Sequence, residues 1–195
     1  ESVTGNIILQ AEIDITQNAG STLNLTNQTA GESVTFQAGN NITLNGALIT
    51  NGANIVLSAD DAAATTGPAD GTGTLTLAAT AVVTSNNAGN GDITLKGADI
   101  SIASGAAITA GSGTILFAPS VASRTIKVGD HVAAGQYDLT QAEVDAIVSA
   151  GKIQFGEAGT QSGAITVTTM DFTGASSTAE IEINTTGTLT LDDGA

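Results

Sequence analysis

The sequence predicts an all-β chain coiled as a parallel β-helix, a β-solenoid of stacked rungs, with one short inserted helix near 140–150. Three observations predict it. Short alternating runs recur behind Gly, Asn or Asp, as in GNIILQ (5–10), NNITLNG (40–46), ANIVLSA (53–59), GTLTLAA (73–79), GDITLKG (91–97) and GTILFAP (113–119). The separators between runs are one to three residues, such as NG, AG, GA and SG. The G-x-I-T-L signature returns 18 residues on from Leu75 at Ile93, and 22 residues on at Ile115. A period near 20 with two or three short strands in it suits rungs that bury their apolar side only by stacking.

Each element follows from local pattern. In the strong runs apolar residues stand two apart, as Leu75 and Leu77 or Ile93 and Leu95, so they share one strand face while Thr, Asn or Lys takes the other. Further strong runs are GSTLNLT (20–26), GAITVTT (163–169) and GTLTLDD (187–193). Weaker strands lie between them at 12–16, 32–37, 47–50, 81–84, 98–104, 106–109 and 179–184. Gly and Asn supply the tight corners. An antiparallel sandwich also alternates and is the competing reading, but its strands are longer and its hairpins rarely come every seven residues.

The chain reads as one domain, 1–195, with insertions at 60–72 (a loop) and 118–151 (a loop plus a helix). DDAAATTGPADGT (60–72) has consecutive acids, a Gly-Pro and no periodicity. LTQAEVDAIVSAG (139–151) reads as a helix, with Thr140 as N-cap and Glu143 completing a capping box. A Leu139–Val144 staple, an apolar stripe of Val144, Ile147 and Val148, and Gly151 as terminator fit the same helix. At roughly 20 residues per rung the chain makes about eight to ten rungs, a rod roughly 40–50 Å long.

Composition agrees. Of 195 residues, 41% are hydrophobic but only 3% aromatic, 24 are Gly, and charged residues are 12%. Ladders of small aliphatics with Gly and Asn corners require that balance. Four basic residues against 19 acidic ones give a net charge of −15, which argues against nucleic acid and against anionic membrane surfaces. The absence of Cys excludes disulfides and thiolate chemistry. No run is long and apolar enough for a transmembrane helix. The N-terminus, ESVTGNIILQ, has no basic region, apolar h-region or initiator Met, so the chain is expected to be a processed or excised piece of something longer.

Residues 124–167, RTIKVGDHVAAGQYDLTQAEVDAIVSAGKIQFGEAGTQSGAITV, resemble a segment of very large bacterial exoproteins of the filamentous haemagglutinin type. The matching positions are Arg124, Thr125, Ile126 and Gly129, then Leu139, Thr140, Glu143, Val144, Asp145 and Ile147. They continue through Ala150, Gly151, Ile153, Phe155, Gly156, Gly163, Ile165 and Val167. The pieces at 91–95 and 105–115 are similar to the repeats of that family. The resemblance implies a right-handed β-helix, a secreted or cell-surface location, export through an outer-membrane secretion partner, and adhesion to a host or neighbouring cell or to a glycan. The chain departs from a complete member in lacking the N-terminal secretion domain.

Candidate chemistry is sparse. Asp60-Asp61 and Asp192-Asp193 are the carboxylate pairs. Paired acids run glycoside hydrolysis on β-helical scaffolds, but adjacent acids on a strand face opposite ways, and Arg124-Thr125-Ile126-Lys127 lacks the partners such enzymes carry. With four basic residues, Lys96 and Lys152 among them, lyase chemistry is disfavoured. His131, the only imidazole, stands beside Asp130 and reads as a loop residue. Calcium is the one cofactor the acids suggest, weakly, at Asp60, Asp61 and Asp70, while GNGD (89–92) lacks the repeat spacing of calcium-binding turns. Thr-x-Thr at 74/76, 166/168 and 188/190 marks outward strand positions, not an array stacked on every rung.

The leading reading is a non-enzymatic adhesin segment. The alternative is a structural subunit of an extracellular filament or sheath that self-associates end to end by β-helix stacking. An enzyme on carbohydrate is the third.

Overall fold

The computed structural model describes residues 5–65, 69–85, 91–129, 136–173 and 178–192. The fold is all-β, built of parallel sheets. Four circuits of the chain read alike. The first holds β1 (Ile7–Ala11), β2 (Ile15–Gln17) and β3 (Thr22–Thr29), and the second β4 (Ser33–Ala38), β5 (Ile42–Leu44) and β6 (Ala47–Asn51). The third holds β7 (Asn54–Ser58), β8 (Thr74–Leu77) and β9 (Val82–Ser85), and the fourth β10 (Ile93–Gly97), β11 (Asp99–Ile102) and β12 (Ala107–Thr109). Every third strand returns to the same sheet, so sheet A takes the first strand of each circuit, sheet B the second and sheet C the third. A helical domain would bury one stripe per element, but here each strand buries its alternate residues against the other two sheets.

The core follows from the register. In sheet A, Ile7, Val34, Ile55, Ile93, Ile115, Ile153 and Ile181 form one column, and Leu9, Phe36, Leu57, Leu95, Phe117, Phe155 and Ile183 a second. Sheet B stacks Ile15, Ile42, Leu75 and Ile100, and sheet C stacks Leu23, Leu48, Val83, Ile108 and Ile147. Nearly all of these side chains are buried in the middle circuits. Each contributes about 1.5–3 kcal/mol by leaving water.

The circuits are longer and less even than the expected period. Successive residues of the first sheet A column are 27, 21, 38, 22, 38 and 28 positions apart. The 18-residue step from Leu75 to Ile93 crosses from sheet B to sheet A and is not a circuit at all, whereas Ile93 to Ile115 is one. Sheet A accordingly has seven strands, fewer than eight to ten rungs.

Corners are closed by two devices. The residue that opens a strand or stands just before it is often Asn or Asp, and its side-chain oxygen accepts the N–H of the residue above it in the next circuit. Asn54 takes Asp92 N–H at 2.9 Å, Asp92 takes Thr114 N–H at 2.7 Å, Asp14 takes Asn41 N–H at 2.9 Å, and Asn41 takes Thr74 N–H at 2.9 Å. The second device is close backbone approach. A Cβ on Gly46 would lie 2.1 Å from the Ser21 carbonyl oxygen, so only Gly fits there.

The 118–151 segment departs from the expected loop plus helix. After β13 (Thr114–Pro119) come β14 (Ile126–Gly129), β15 (Tyr137–Thr140), the one-turn helix α1 (Gln141–Val144) and β16 (Ile147–Ser149). The chain then continues through β17 (Lys152–Phe155), β18 (Ile165–Val167), β19 (Glu180–Ile183) and β20 (Leu189–Leu191). Sheet D, ordered β15-β14-β18-β20, takes up where sheet B stops. The expected helix over 139–151 shrinks to one turn because Ile147 continues the sheet C column beside Ile108, and strand pairing outweighs the rest of the helical pattern. Val148, expected on the apolar stripe, is 61% exposed, while Val144 and Ile147 are buried.

The capping box is present, and it also serves the break between sheets B and D. One oxygen of Glu143 accepts from Thr140 N–H at 2.8 Å and from the Thr140 hydroxyl at 2.9 Å. The other accepts Ile102 N–H at 2.9 Å, on the edge of β11 that has no strand partner. The Tyr137 hydroxyl, wholly buried, donates to the Leu95 carbonyl at 2.9 Å. Burial, aided by the charges of Asp99 and Glu143, pushes that phenol well above its ordinary pKa. Glu143→Ala is therefore expected to lower stability by about 2–3 kcal/mol, since it strands two backbone donors, with Glu143→Gln losing less. Urea unfolding of the three proteins measures it.

Candidate functional site

Among the sequence candidates, Asp60, Asp61 and Asp70 come together, on the outer face of sheet A. Outward positions of that sheet run Gln37, Ser58 and Lys96 across β4, β7 and β10. Residues 60–65 and 69–72 lie beside them. Asp61 caps the 3-10 turn Ala62–Ala64 by accepting Ala63 N–H at 2.8 Å, and Gln37 donates to its other oxygen at 3.4 Å. The Gln10 amide holds the same turn through the Ala63 carbonyl.

Asp60 does the tying at the base. It is 1% exposed and is the one non-Gly residue with positive φ, +53°, among the described residues. Its backbone stays in the sheet's hydrogen bonding, donating to the Asn40 carbonyl at 2.8 Å. Its carboxylate accepts Asp70 N–H and Gly71 N–H, each at 2.9 Å, and the Ser120 hydroxyl at 2.5 Å. Arg124 reaches over from the segment before β14 and donates to the Gly71 carbonyl at 2.5 Å. Asp70 accepts from the Thr72 hydroxyl and N–H, and the hydroxyl above all holds its carboxyl below the usual range.

Asp60, Asp61 and Asp70 are the residues at which calcium was expected. Their oxygens accept from N–H and O–H donors of the chain, and among the described residues no three acidic or imidazole groups are placed to hold a metal ion. In this structure the acids fasten a loop. Between loop and sheet lies a cavity of about 180 Å³ lined by Ser58, Asp60, Asp61, Ala62, Ala69, Lys96 and Ser120. Lys96 is paired with Glu157 at 2.8 Å.

The remaining candidates lie apart. Lys152 joins Glu182 and Glu180 on sheet A. The Glu182 carboxylate holds its ammonium above the ordinary lysine range, and Lys152 in turn holds Glu182 below the ordinary carboxylate range. Asp192 follows β20, with its N–H on the Val167 carbonyl. His131, Asp130, Asp193 and the Gly89-Asn90 part of GNGD lie outside the described residues. The Thr-x-Thr pairs do not form an array on every circuit, since Thr74 neighbours Asp99 and Thr166 neighbours Lys127, although Thr16, Thr43 and Thr76 form one short column that ends at Ser101.

Sequence reading missed Ser58 and Ser120. Ser120 is sixty positions from Asp60, and nothing local announces their contact. The signal present was the insertion itself, since a loop that interrupts a repeat is where function gathers. No family model, curated protein or solved structure matches the chain.

Proposed function

We propose that the chain is a stretch of right-handed parallel β-helix from a large secreted or surface-held bacterial exoprotein of the filamentous haemagglutinin type, and that its work is attachment, not catalysis. The observation that carries this reading is the threefold rotation of parallel strands, with inward columns in register from one circuit to the next. An elongated stack of that kind displays its outer faces and loops along its length, which suits holding a binding surface away from a cell.

The segment that carries the resemblance also supports it. Residues 124–167 supply β14, β15, α1, β16, β17 and β18, which insert an additional strand position into the stack while keeping the sheet A columns unbroken. On this reading the parent is exported through an outer-membrane partner and meets a host cell, a neighbouring cell or a glycan. Glycan-array and cell-binding assays on the whole native protein are expected to give specific binding. Silence in both contradicts the reading.

A specific observation favours a second reading, a filament subunit. Leu9 in the first circuit and Leu189 and Leu191 in the last stand in columns continued by Phe36, Ile165 and Val167, yet are themselves exposed. Strand edges of this kind invite continuation of the ladder, and the charge of −15 discourages side-by-side clumping. Uniform fibres of purified protein by electron microscopy would support it, and monodisperse rods the first reading.

A further inference from the structure

Four Asn-x-Thr sequons stand in the chain, beginning at Asn24, Asn27, Asn41 and Asn184. Such a sequon is an acceptor for N-linked glycosylation where its amide can be reached. The reaction needs a side-chain nitrogen that is open to attack and a hydroxyl two residues on that a transferase can bind. The fold sorts the four by these needs.

Asn41 is occupied at a corner: its oxygen accepts Thr74 N–H at 2.9 Å and its nitrogen donates to Asp14 at 3.1 Å. Asn184 gives its nitrogen to the Glu182 carboxylate at 2.7 Å. Asn27 is exposed, but the hydroxyl of its Thr29 donates to Glu32 at 3.3 Å. Asn24 differs from all three. Asn24 and Thr26 are both exposed on the outer face of sheet C, while Leu25 between them packs against the core. Among the described residues the Asn24 side chain makes one hydrogen bond, its oxygen accepting Thr26 N–H at 3.2 Å, so the nitrogen is left to solvent.

A second observation is that the fold has no other use for this residue. Asn is a poor strand former. At the corners that cost is offset because Asn accepts from the next circuit, as Asn41 and Asn54 do. Asn24 stands inside β3, in an outward column continued by Ile49, Thr84 and Thr109, and its side chain bonds to none of them. Only β6 flanks β3 in sheet C among the described residues, so the strand is open to an enzyme on its other side.

We infer that Asn24 is an N-glycosylation site whose donor is a sugar carried on a diphosphate. Nδ2 of Asn24 attacks the anomeric carbon. The bond from that carbon to the diphosphate oxygen breaks and its electron pair leaves with the diphosphate. The proton lost from Nδ2 goes to a base of the transferase, and nothing is oxidised or reduced. No core side chain takes part, so the folded chain is a competent acceptor. The inference goes beyond the attachment reading and does not depend on it.

The test is peptide mapping by mass spectrometry of the protein purified from its natural source. No basic residue precedes Lys96, so cleavage is made after Glu12 and Glu32, which releases 13–32 with Asn24 and Asn27 together. Fragmentation that keeps the sugar attached then locates it. A sugar mass is expected on Asn24, with Asn41 and Asn184 unmodified and Asn27 less occupied than Asn24. Growth by single sugars identifies a nucleotide-linked donor and one block of fixed mass a lipid-linked donor, and either supports the site. Made in the same source, Asn24→Gln and Thr26→Val are each expected to lose the Asn24 sugar completely and Thr26→Ser to keep it. All three change exposed side chains, so each is expected to unfold in urea as the parent does. An unmodified Asn24, equal occupancy at Asn41 or Asn184, a sugar on the Thr26 oxygen, or a sugar that survives Thr26→Val would overturn the proposal. A sugar on Asn24 in a protein that is silent in the binding assays leaves this site standing and removes only attachment.

Discussion

Phe155→Ala is expected to lower the free energy of unfolding by about 3–5 kcal/mol. Phe155 is fully buried. Its ring stacks on Phe117 at 5.7 Å between centroids and 16° between planes, and meets Phe172 at 6.1 Å. Removing it opens a void in the middle of a column, between Phe117 and Ile183, and the neighbours cannot collapse into it because the backbone ladder holds each strand in place. In a stack where each circuit touches only its neighbours, the loss also uncouples the last circuits from the rest. Urea unfolding followed by circular dichroism measures it, with Leu191→Ala, at a side chain 72% exposed, expected within about 0.5 kcal/mol of the parent. A Phe155→Ala protein as stable as the parent would mean that the register of sheet A is wrong.

Asp60→Ala is expected to cost about 3 kcal/mol. It removes the acceptor for two backbone N–H groups and one hydroxyl and leaves Ala at a φ of +53°. Two controls separate these effects. Asp60→Gly loses the same hydrogen bonds but relieves the backbone, so it is expected to be less damaging than Ala by about 1 kcal/mol. Asp60→Asn keeps one acceptor oxygen and a side chain that tolerates the left-handed region, so it loses least. The order Asn, Gly, Ala in increasing loss is the expected result in urea unfolding. Limited proteolysis adds a local readout, with cleavage within 61–72 appearing in Ala and Gly and not in the parent. If all three match the parent, Asp60 does not anchor the loop.

Much of this fold was legible because its repeating unit is local. Alternation in runs such as NNITLNG and GDITLKG named the inward residues, and Ile42, Leu44, Ile93 and Leu95 are all fully buried. The Gly, Asn and Asp before those runs marked the corners, although their part as acceptors for the next circuit was not read from them. The circuit length was misjudged because strands of sheets A, B and C carry the same pattern. Leu75 and Ile93 look alike in sequence yet stand in different sheets. The capping box at Thr140 was read correctly and the length of its helix was not, since a cap fixes where a helix starts, and pairing of Ile147 with β12 decides where it stops.

The candidate site was legible only as a place. The acids of 60–72 drew attention to the loop, but their chemistry depends on Ser120, Arg124 and Ser58, which come from other circuits. Cation binding was the natural reading of three carboxylates without their partners. With the partners present the carboxylates are acceptors for donors the chain itself supplies.

The central claim is that the chain climbs one strand spacing per circuit, and distances between spin labels test it most directly. The chain has no Cys, so introduced pairs label cleanly. Outward positions Thr35 and Gln154 stand four strands apart in sheet A, and Ile8 and Glu182 stand six apart. At about 4.8 Å per strand, pulsed electron resonance is expected to give roughly 19 Å for the first pair and roughly 29 Å for the second, within the spread of the label arms. Distances that do not grow with strand number, as an antiparallel sandwich would give, would contradict the account.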